Sequence, residues 1–193
     1  MKSDIVQAVE PVVDALVSLG VDYRIGGSVA SSALGVPRST LDVDLVCRLR
    51  PRDVAGFVRA LEGAYYVDGD MIRDAIAREA SFNVIHLATM IKVDVFIAKS
   101  RAWDQIAFAR HVQKPLDVEE GARAFELTTA EDIVLHKLDW YRLGGEISER
   151  QWSDVLGVLS VQGSALDLDY VREWASKLGL AELLERALKE RSA

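Results

Sequence analysis

Two aspartates one residue apart, Asp42 and Asp44, are the residues whose type and spacing most directly suggest chemistry. Residues i and i+2 of a strand point to the same side, so these carboxylates would share one face. Their Cα atoms would lie about 6.6 Å apart, since a strand rises about 3.3 Å per residue. Carboxylates at this spacing can reach a pair of metal ions about 3.5–4 Å apart, as phosphoryl-transfer sites require. Hard oxygen ligands that leave room for water and phosphate suit Mg²⁺.

A glycine turn precedes this acidic pair. Gly26, Gly27 and Ser28 follow a predicted strand that ends at Ile25, and they open a short predicted helix over 29–34. Free backbone N–H groups and the positive end of the helix dipole make such a turn a place for an anion. We expect Ser28 to act as the N-cap of this helix and to contact phosphate. The acidic pair alone could equally be an exposed strand start, but together with the turn it indicates a divalent cation and a phosphate.

The residues from the turn to the acidic pair resemble the signature of the nucleotidyltransferase (polymerase-β-like) superfamily. The pattern runs Gly26-Gly27-Ser28, then Gly35-x-x-Arg38-x-Thr40-x-Asp42-x-Asp44. The arginine and threonine just before the acidic pair are similar to those of the AbiEii-type toxin nucleotidyltransferases and their relatives. The resemblance implies metal binding by the two aspartates and a third acidic residue on a later strand. It also implies a nucleotide-binding set made of Gly26, Gly27, Ser28, Arg38 and Thr40.

Asp94 is the candidate for the third acidic residue, because it lies within the apolar run from Ile91 to Ile97. A carboxylate in an apolar strand is costly unless it is paired, hydrogen-bonded or bound to a metal. We expect Asp94 to join the acidic pair in holding two Mg²⁺ ions, and to act as a base or as a ligand of the second ion. The alternative is the wet face of an edge strand, on which Lys92 would pair with Asp94.

Two polar residues of the C-terminal part are out of place in their helices. Lys137 falls in the apolar stripe of a predicted helix over 130–143, where a lysine either extends to the surface or faces a cleft and neutralises triphosphate charge. The toxin-like relatives are similar in having a lysine on such a helix and an aspartate on the next one. Asp154 is the matching position, although residues 149–154 follow the toxin pattern only in part. The resemblance thus implies a catalytic role for Lys137 and nucleotide binding by Asp154.

The remaining pattern predicts an α+β fold, with a small mixed β-sheet nucleotidyltransferase core flanked by helices and a C-terminal helical subdomain. A first helix is predicted over 4–19, kinked or split at Pro11. A strand over 81–87 would form a hairpin with the Asp94 strand. From about residue 125 the pattern is wholly helical, and Thr128 and Ser148 begin capping boxes. We therefore expect a catalytic core over 1–125 and a helical subdomain over 126–193 that closes the cleft.

Composition places the chain among globular proteins. Half of its 193 residues are hydrophobic, no apolar run is long enough to span a bilayer, and its one cysteine, Cys47, has no disulfide partner. The N-terminus lacks a signal peptide, so we expect a cytoplasmic protein without a membrane partner. A net charge of −7 argues against a large nucleic-acid-binding face. A local recognition strip made of Arg48, Arg50, Arg52 and Arg59 is the alternative to a solvated strand end.

These observations predict a Mg²⁺-dependent enzyme that transfers a nucleoside monophosphate from NTP to an acceptor hydroxyl. The resemblance favours a toxin-like enzyme that acts on an RNA end, such as that of tRNA, and has an antitoxin protein as partner. A small-molecule transferase of the antibiotic-modifying kind is the alternative acceptor class. A non-catalytic module that binds a nucleotide or a partner protein is the alternative from outside the enzymes.

Overall fold

A computed structural model describes residues 2–119 and 121–191 of the chain. The chain packs as two compact units. The first consists of Met1–Gly26 and Thr40–Leu127, and the second of Gly27–Ser39 and Thr128–Ala193. In this division the segment 27–39 groups with the C-terminal helices.

A mixed β-sheet forms the centre of the first unit. Over the described part of the chain it has seven strands: β1 (Tyr23–Ile25), β2 (Asp42–Cys47), β3 (Tyr65–Tyr66), β4 (Ser81–His86), β5 (Lys92–Ile97), β6 (Val112–Pro115) and β7 (Ala124–Leu127). Their order in the sheet is β3-β4-β5-β2-β1-β7-β6. The central pair, β2 and β5, is parallel, and β4 joins β5 as the predicted antiparallel hairpin.

The two faces of this sheet differ because alternate residues of each strand point to opposite sides. On one face the central strands bury apolar residues such as Val43, Leu45, Val93 and Val95, which are inaccessible to solvent. The helices of the first unit are α1 (Asp4–Ser18), α3 (Val54–Leu61), α4 (Gly69–Ala77) and α5 (Ala102–Ala109). Both α1 and α4 pack against the central strands. The other face of β2 and β5 carries half-exposed residues, including the three aspartates.

The second unit is helical. It contains α2 (Gly27–Leu34), α6 (Ala130–Leu143), α7 (Glu149–Gln162), α8 (Leu168–Leu178) and α9 (Ala181–Glu190). The pair α6 and α7 forms its centre, α2 packs against both of these helices, and α8 and α9 pack against α6 and α7 respectively. Ser148 caps α7 as predicted, since its side chain accepts a hydrogen bond from the backbone N–H of Gln151.

The structure confirms the α+β class and corrects several local predictions. The first helix is continuous through Pro11, so the predicted split is absent. The N-cap of α6 is Thr129 rather than Thr128, because the Thr129 side chain accepts from the backbone N–H of Asp132. The strands β6 and β7 were not predicted. Among the described residues, no helix is long and apolar enough to cross a membrane.

Candidate active site

The half-exposed face of the first unit brings the three aspartates onto two adjacent strands. In the parallel register of β2 and β5, Asp44 lies opposite Asp94 and Asp42 lies opposite Lys92. Neighbouring strands are about 4.8 Å apart, so the side chains of opposite residues are neighbours on this face. On the other side of β2, the backbone N–H of Gly26 donates to the carbonyl oxygen of Asp44 at 2.9 Å. We call Asp42, Asp44 and Asp94 the acidic face.

Asp42 and Asp94 each have a polar partner close by. The Thr40 hydroxyl donates to Oδ1 of Asp42 at 2.5 Å, and Nζ of Lys92 lies 2.7 Å from Oδ2 of Asp94. The hydrogen bond to Asp94 raises the pKa of Lys92, partial burial opposes this rise, and the negative charges of all three aspartates add to it. The predicted pairing of Lys92 with Asp94 is therefore present. The edge-strand alternative is wrong, because β5 lies between β4 and β2.

The donor set of the acidic face suits Mg²⁺ in its chemistry, since three carboxylates offer hard oxygen ligands on one surface. In their present arrangement, however, no three His, Cys, Asp or Glu side chains of residues 2–119 and 121–191 form a group that could hold a metal ion. Mg²⁺ is usually held by one or two carboxylates together with substrate phosphates rather than by a protein cage. The residues therefore fit a metal that is completed by substrate oxygens.

The glycine turn has the backbone geometry expected of it, with one correction. Gly27 has φ of 53°, in the left-handed region that favours glycine, and it is also the first residue of α2. Ser28 is thus the second residue of the helix and not its N-cap. The Oγ atom of Ser28 accepts a hydrogen bond from the Arg38 guanidinium.

A buried ionic cluster occupies the second unit and joins Arg38, Lys137 and Asp154. Nε and Nη2 of Arg38 donate to the two carboxylate oxygens of Asp154 at 2.7 and 3.0 Å. Nζ of Lys137 donates to Oδ2 of the same carboxylate at 2.7 Å. The side chains of Lys137 and Asp154 are only 7% and 4% exposed, whereas that of Arg38 is 28% exposed. Lys137 therefore does not extend to the surface.

Two cations on one carboxylate leave this cluster with a formal charge of +1. Burial by itself would raise the pKa of Asp154, but the hydrogen bonds and charges of Arg38 and Lys137 hold that pKa below its ordinary value. Asp154 is therefore ionised at neutral pH and fixes the positions of both cations. The resemblance assigned Asp154 to nucleotide binding, and its geometry is that of a residue that acts through Arg38 and Lys137.

The loop that carries Arg38 lies directly against the backbone of α7. A Cβ atom on Gly35 would lie 2.8 Å from both the Ser31 oxygen and the Val158 nitrogen. Gly157, in the middle of α7, has Val36 close by, with a hypothetical Cβ at 3.3 Å from the Val36 backbone nitrogen. Gly157 was not among the predicted site residues, and the signal that could have found it is that an isolated glycine inside a helix is costly unless it has a packing role. The two glycines allow the contact that places Arg38 on Asp154.

We expect Gly35→Ala to destabilise the protein by about 1–3 kcal/mol, because the added methyl group meets backbone atoms that cannot rotate away. Urea denaturation measures this change. Gly56→Ala is the matched control, since its methyl group would meet only the end of the flexible Leu19 side chain and would improve helix propensity. Equal stability of the two variants would show that the Gly35 contact is not tight.

The structure thus collects the predicted site residues into two groups and a turn. The group in the first unit consists of Asp42, Asp44, Asp94 and Thr40. The group in the second unit consists of Ser28, Arg38, Lys137 and Asp154. The turn is formed by Gly26 and Gly27. The nucleotide-binding and metal-binding roles of these residues stay predictions.

Comparison with solved structures identifies the fold. The antibiotic-resistance factor ANT(2'')-Ia in solution aligns with a TM-score of 0.55 and 15% identity over 92% of this chain and 95% of that one. Its crystal structure in complex with adenylyl-2''-tobramycin gives 0.53 and 19% identity, over 96% of this chain and 97% of that one. The chain has a nucleotidyltransferase fold. This result confirms the predicted fold.

A third solved structure also has the nucleotidyltransferase fold. The antigenic nucleotidyltransferase-like protein from Paracoccidioides brasiliensis aligns with a TM-score of 0.50 and 19% identity, over 94% of this chain and 91% of that one. No protein-family model matches the sequence, and no curated protein matches it significantly. At these identities the comparisons establish the fold, and the AbiEii-type subtype stays a prediction.

Proposed function

We propose that this protein is a Mg²⁺-dependent nucleotidyltransferase that moves a nucleoside monophosphate from NTP to an acceptor hydroxyl. The observation that carries the proposal is the register of β2 and β5, in which Asp44 lies opposite Asp94 with Asp42 on the same half-exposed face. Like charges that lie opposite each other in a sheet repel, so three carboxylates on one face are unfavourable for folding. Their accumulation is explained by a cation that they bind during function.

The proposed roles follow from the chemistry of the side chains. Asp42, Asp44 and Asp94 would hold Mg²⁺, which would neutralise phosphate charge and activate the attacking hydroxyl when bound. Thr40 orients the carboxylate of Asp42 through its hydrogen bond. The backbone N–H groups at Gly27 and Ser28, at the start of α2, are suited to the β- and γ-phosphates. In the second unit Asp154 holds Arg38 and Lys137 in place, and the resemblance assigns to these two cations the neutralisation of triphosphate and pyrophosphate charge.

For the acceptor we favour a small molecule that carries a hydroxyl group. ANT(2'')-Ia, which shares the fold over nearly its full length, has been crystallised with an adenylylated aminoglycoside. The net charge of −7 and the three carboxylates of the acidic face also disfavour a polyanionic acceptor and favour a neutral or cationic one.

An RNA end remains the second acceptor class, and it rests on the toxin-like signature around Arg38 and Thr40. The predicted arginine strip gives it little support. Arg48 stacks on the Phe108 ring at 4.5 Å and donates to Gln105, and Arg50 pairs with Asp53 at the start of α3. The toxin role and an antitoxin partner stay predictions that depend on the resemblance.

Labelled nucleotides test the proposed activity and separate the acceptor classes. The protein is incubated with Mg²⁺ and each α-labelled NTP, together with either a panel of aminoglycosides and other polyhydroxylated small molecules or total RNA. We expect pyrophosphate release and a label on a small molecule, and neither with EDTA. A labelled RNA band would instead support the toxin-like acceptor. NTP binding without label or pyrophosphate across all acceptors would favour a non-catalytic binding module and contradict the proposal.

A further inference from the structure

Among the residues that the structure describes, Lys92 is the one cationic residue on the strand positions of the acidic face. It lies opposite Asp42 in the register of β2 and β5, and its ammonium is 2.7 Å from the carboxylate of Asp94. Its side chain is 43% exposed, while that of Asp94 is 21% exposed. The Lys92 side chain is therefore the more accessible member of the pair. No step of the proposed reaction requires this lysine.

The charge of Lys92 has two consequences for a metal ion. First, it offsets the mutual repulsion of three carboxylates while no metal is bound, because it is near all of them. Second, it repels a free dication that approaches the same face and competes with it for Asp94. A dication that is bound to a triphosphate is repelled less by the ammonium, because the phosphate oxygens supply negative charge. These oxygens also supply further ligands for the metal.

We propose that Lys92 is a positioning residue that holds the carboxylate of Asp94 until a divalent cation arrives together with a nucleotide, so that the acidic face discriminates against free dications. The inference rests on the proposed function of this face. It adds that the metal binds together with the nucleotide and not before it. The metal and the triphosphate would bind as one ligand.

Manganese binding without nucleotide tests the role of Lys92 directly. Free Mn²⁺ is measured by its EPR signal during titration of the full-length protein, and the same titration is run with Lys92→Met, which keeps the length of the side chain and removes its charge. We expect Lys92→Met to bind Mn²⁺ at least about tenfold more tightly than the natural protein. Lys92→Arg should behave like the natural protein. Lys99→Met, which removes an equal charge just beyond β5, is the matched control and should change little.

A second measurement uses the natural protein alone, so the test does not depend on how the variants fold. After correction for the Mn²⁺ that a non-hydrolysable NTP analogue binds without protein, we expect the protein to bind Mn²⁺ at least about tenfold more tightly when this analogue is present. Equal Mn²⁺ affinity with and without the analogue, or unchanged affinity in Lys92→Met, would overturn the inference. These readouts do not use nucleotide transfer. Tighter Mn²⁺ binding in Lys92→Met would support the inference even if no acceptor were labelled, a result that would count against the proposed activity alone.

Discussion

Asp44→Asn is expected to lower Mg²⁺-dependent nucleotidyl transfer at least about a thousandfold while the protein stays folded. The substitution keeps the shape of the side chain and removes the central charge of the acidic face, which lies directly opposite Asp94. A bound metal ion contributes several kcal/mol of charge stabilisation in the transition state, and about 4 kcal/mol corresponds to roughly a thousandfold in rate. The loss should appear mainly in kcat, because the developing charge exists only in the transition state.

Stability should change in the opposite direction. Asp44 and Asp94 are like charges in register on adjacent strands, and such pairs are destabilising. We therefore expect metal-free Asp44→Asn to be as stable as the natural protein in urea denaturation, or slightly more stable. Asp74→Asn, at an exposed aspartate of α4, serves as the control and should leave transfer unchanged. A folded Asp44→Asn protein that retains normal transfer would show that the acidic face is not the active site.

The fold was predictable where the local pattern is strong. The helix over Ala130–Leu143 was predicted residue for residue, because its apolar residues recur at helical spacing and Gly144 follows its last residue. The strands β6 and β7 were not predicted, because both are short. β6 is a mostly exposed strand at the edge of the sheet and ends in Pro115, and β7 has only four residues. Short strands depend on their neighbours in the sheet for stability, and a single sequence does not show those neighbours.

For the candidate site, the sequence indicated which residues to consider but not how they are paired. The spacing of Asp42 and Asp44 was sufficient to place them on one face, since the alternation of a strand is a local property. The registration of Asp94 against Asp44 depends on a parallel pairing between segments 50 residues apart in sequence. Similarly, nothing local indicated that Arg38 and Lys137 share one carboxylate. Contacts of this kind arise from tertiary packing.

Removal of the Asp154 carboxylate should have the largest effect on stability. Asp154→Ala is expected to cost about 3–5 kcal/mol, because it leaves the buried ammonium of Lys137 without the carboxylate that it pairs with and removes two hydrogen bonds of Arg38. Asp169→Ala, at an exposed aspartate of α8, is the matched control and should change the free energy of unfolding by less than about 0.5 kcal/mol. Urea denaturation at neutral pH measures both variants.

The double variant Asp154→Ala/Lys137→Met identifies the cause of this loss. If an uncompensated buried charge is responsible, removal of the second charge should restore part of the stability, and a double-mutant cycle should show strong coupling. The depressed pKa of Asp154 adds a pH dependence, because such a group stabilises the fold above its unfolded pKa of about 3.9 and ceases to do so as pH falls through its folded pKa. The difference in stability between the natural protein and Asp154→Ala should therefore shrink in acid. A difference that stays constant down to pH 3 would mean that lost packing, and not the ion pairs, explains the effect.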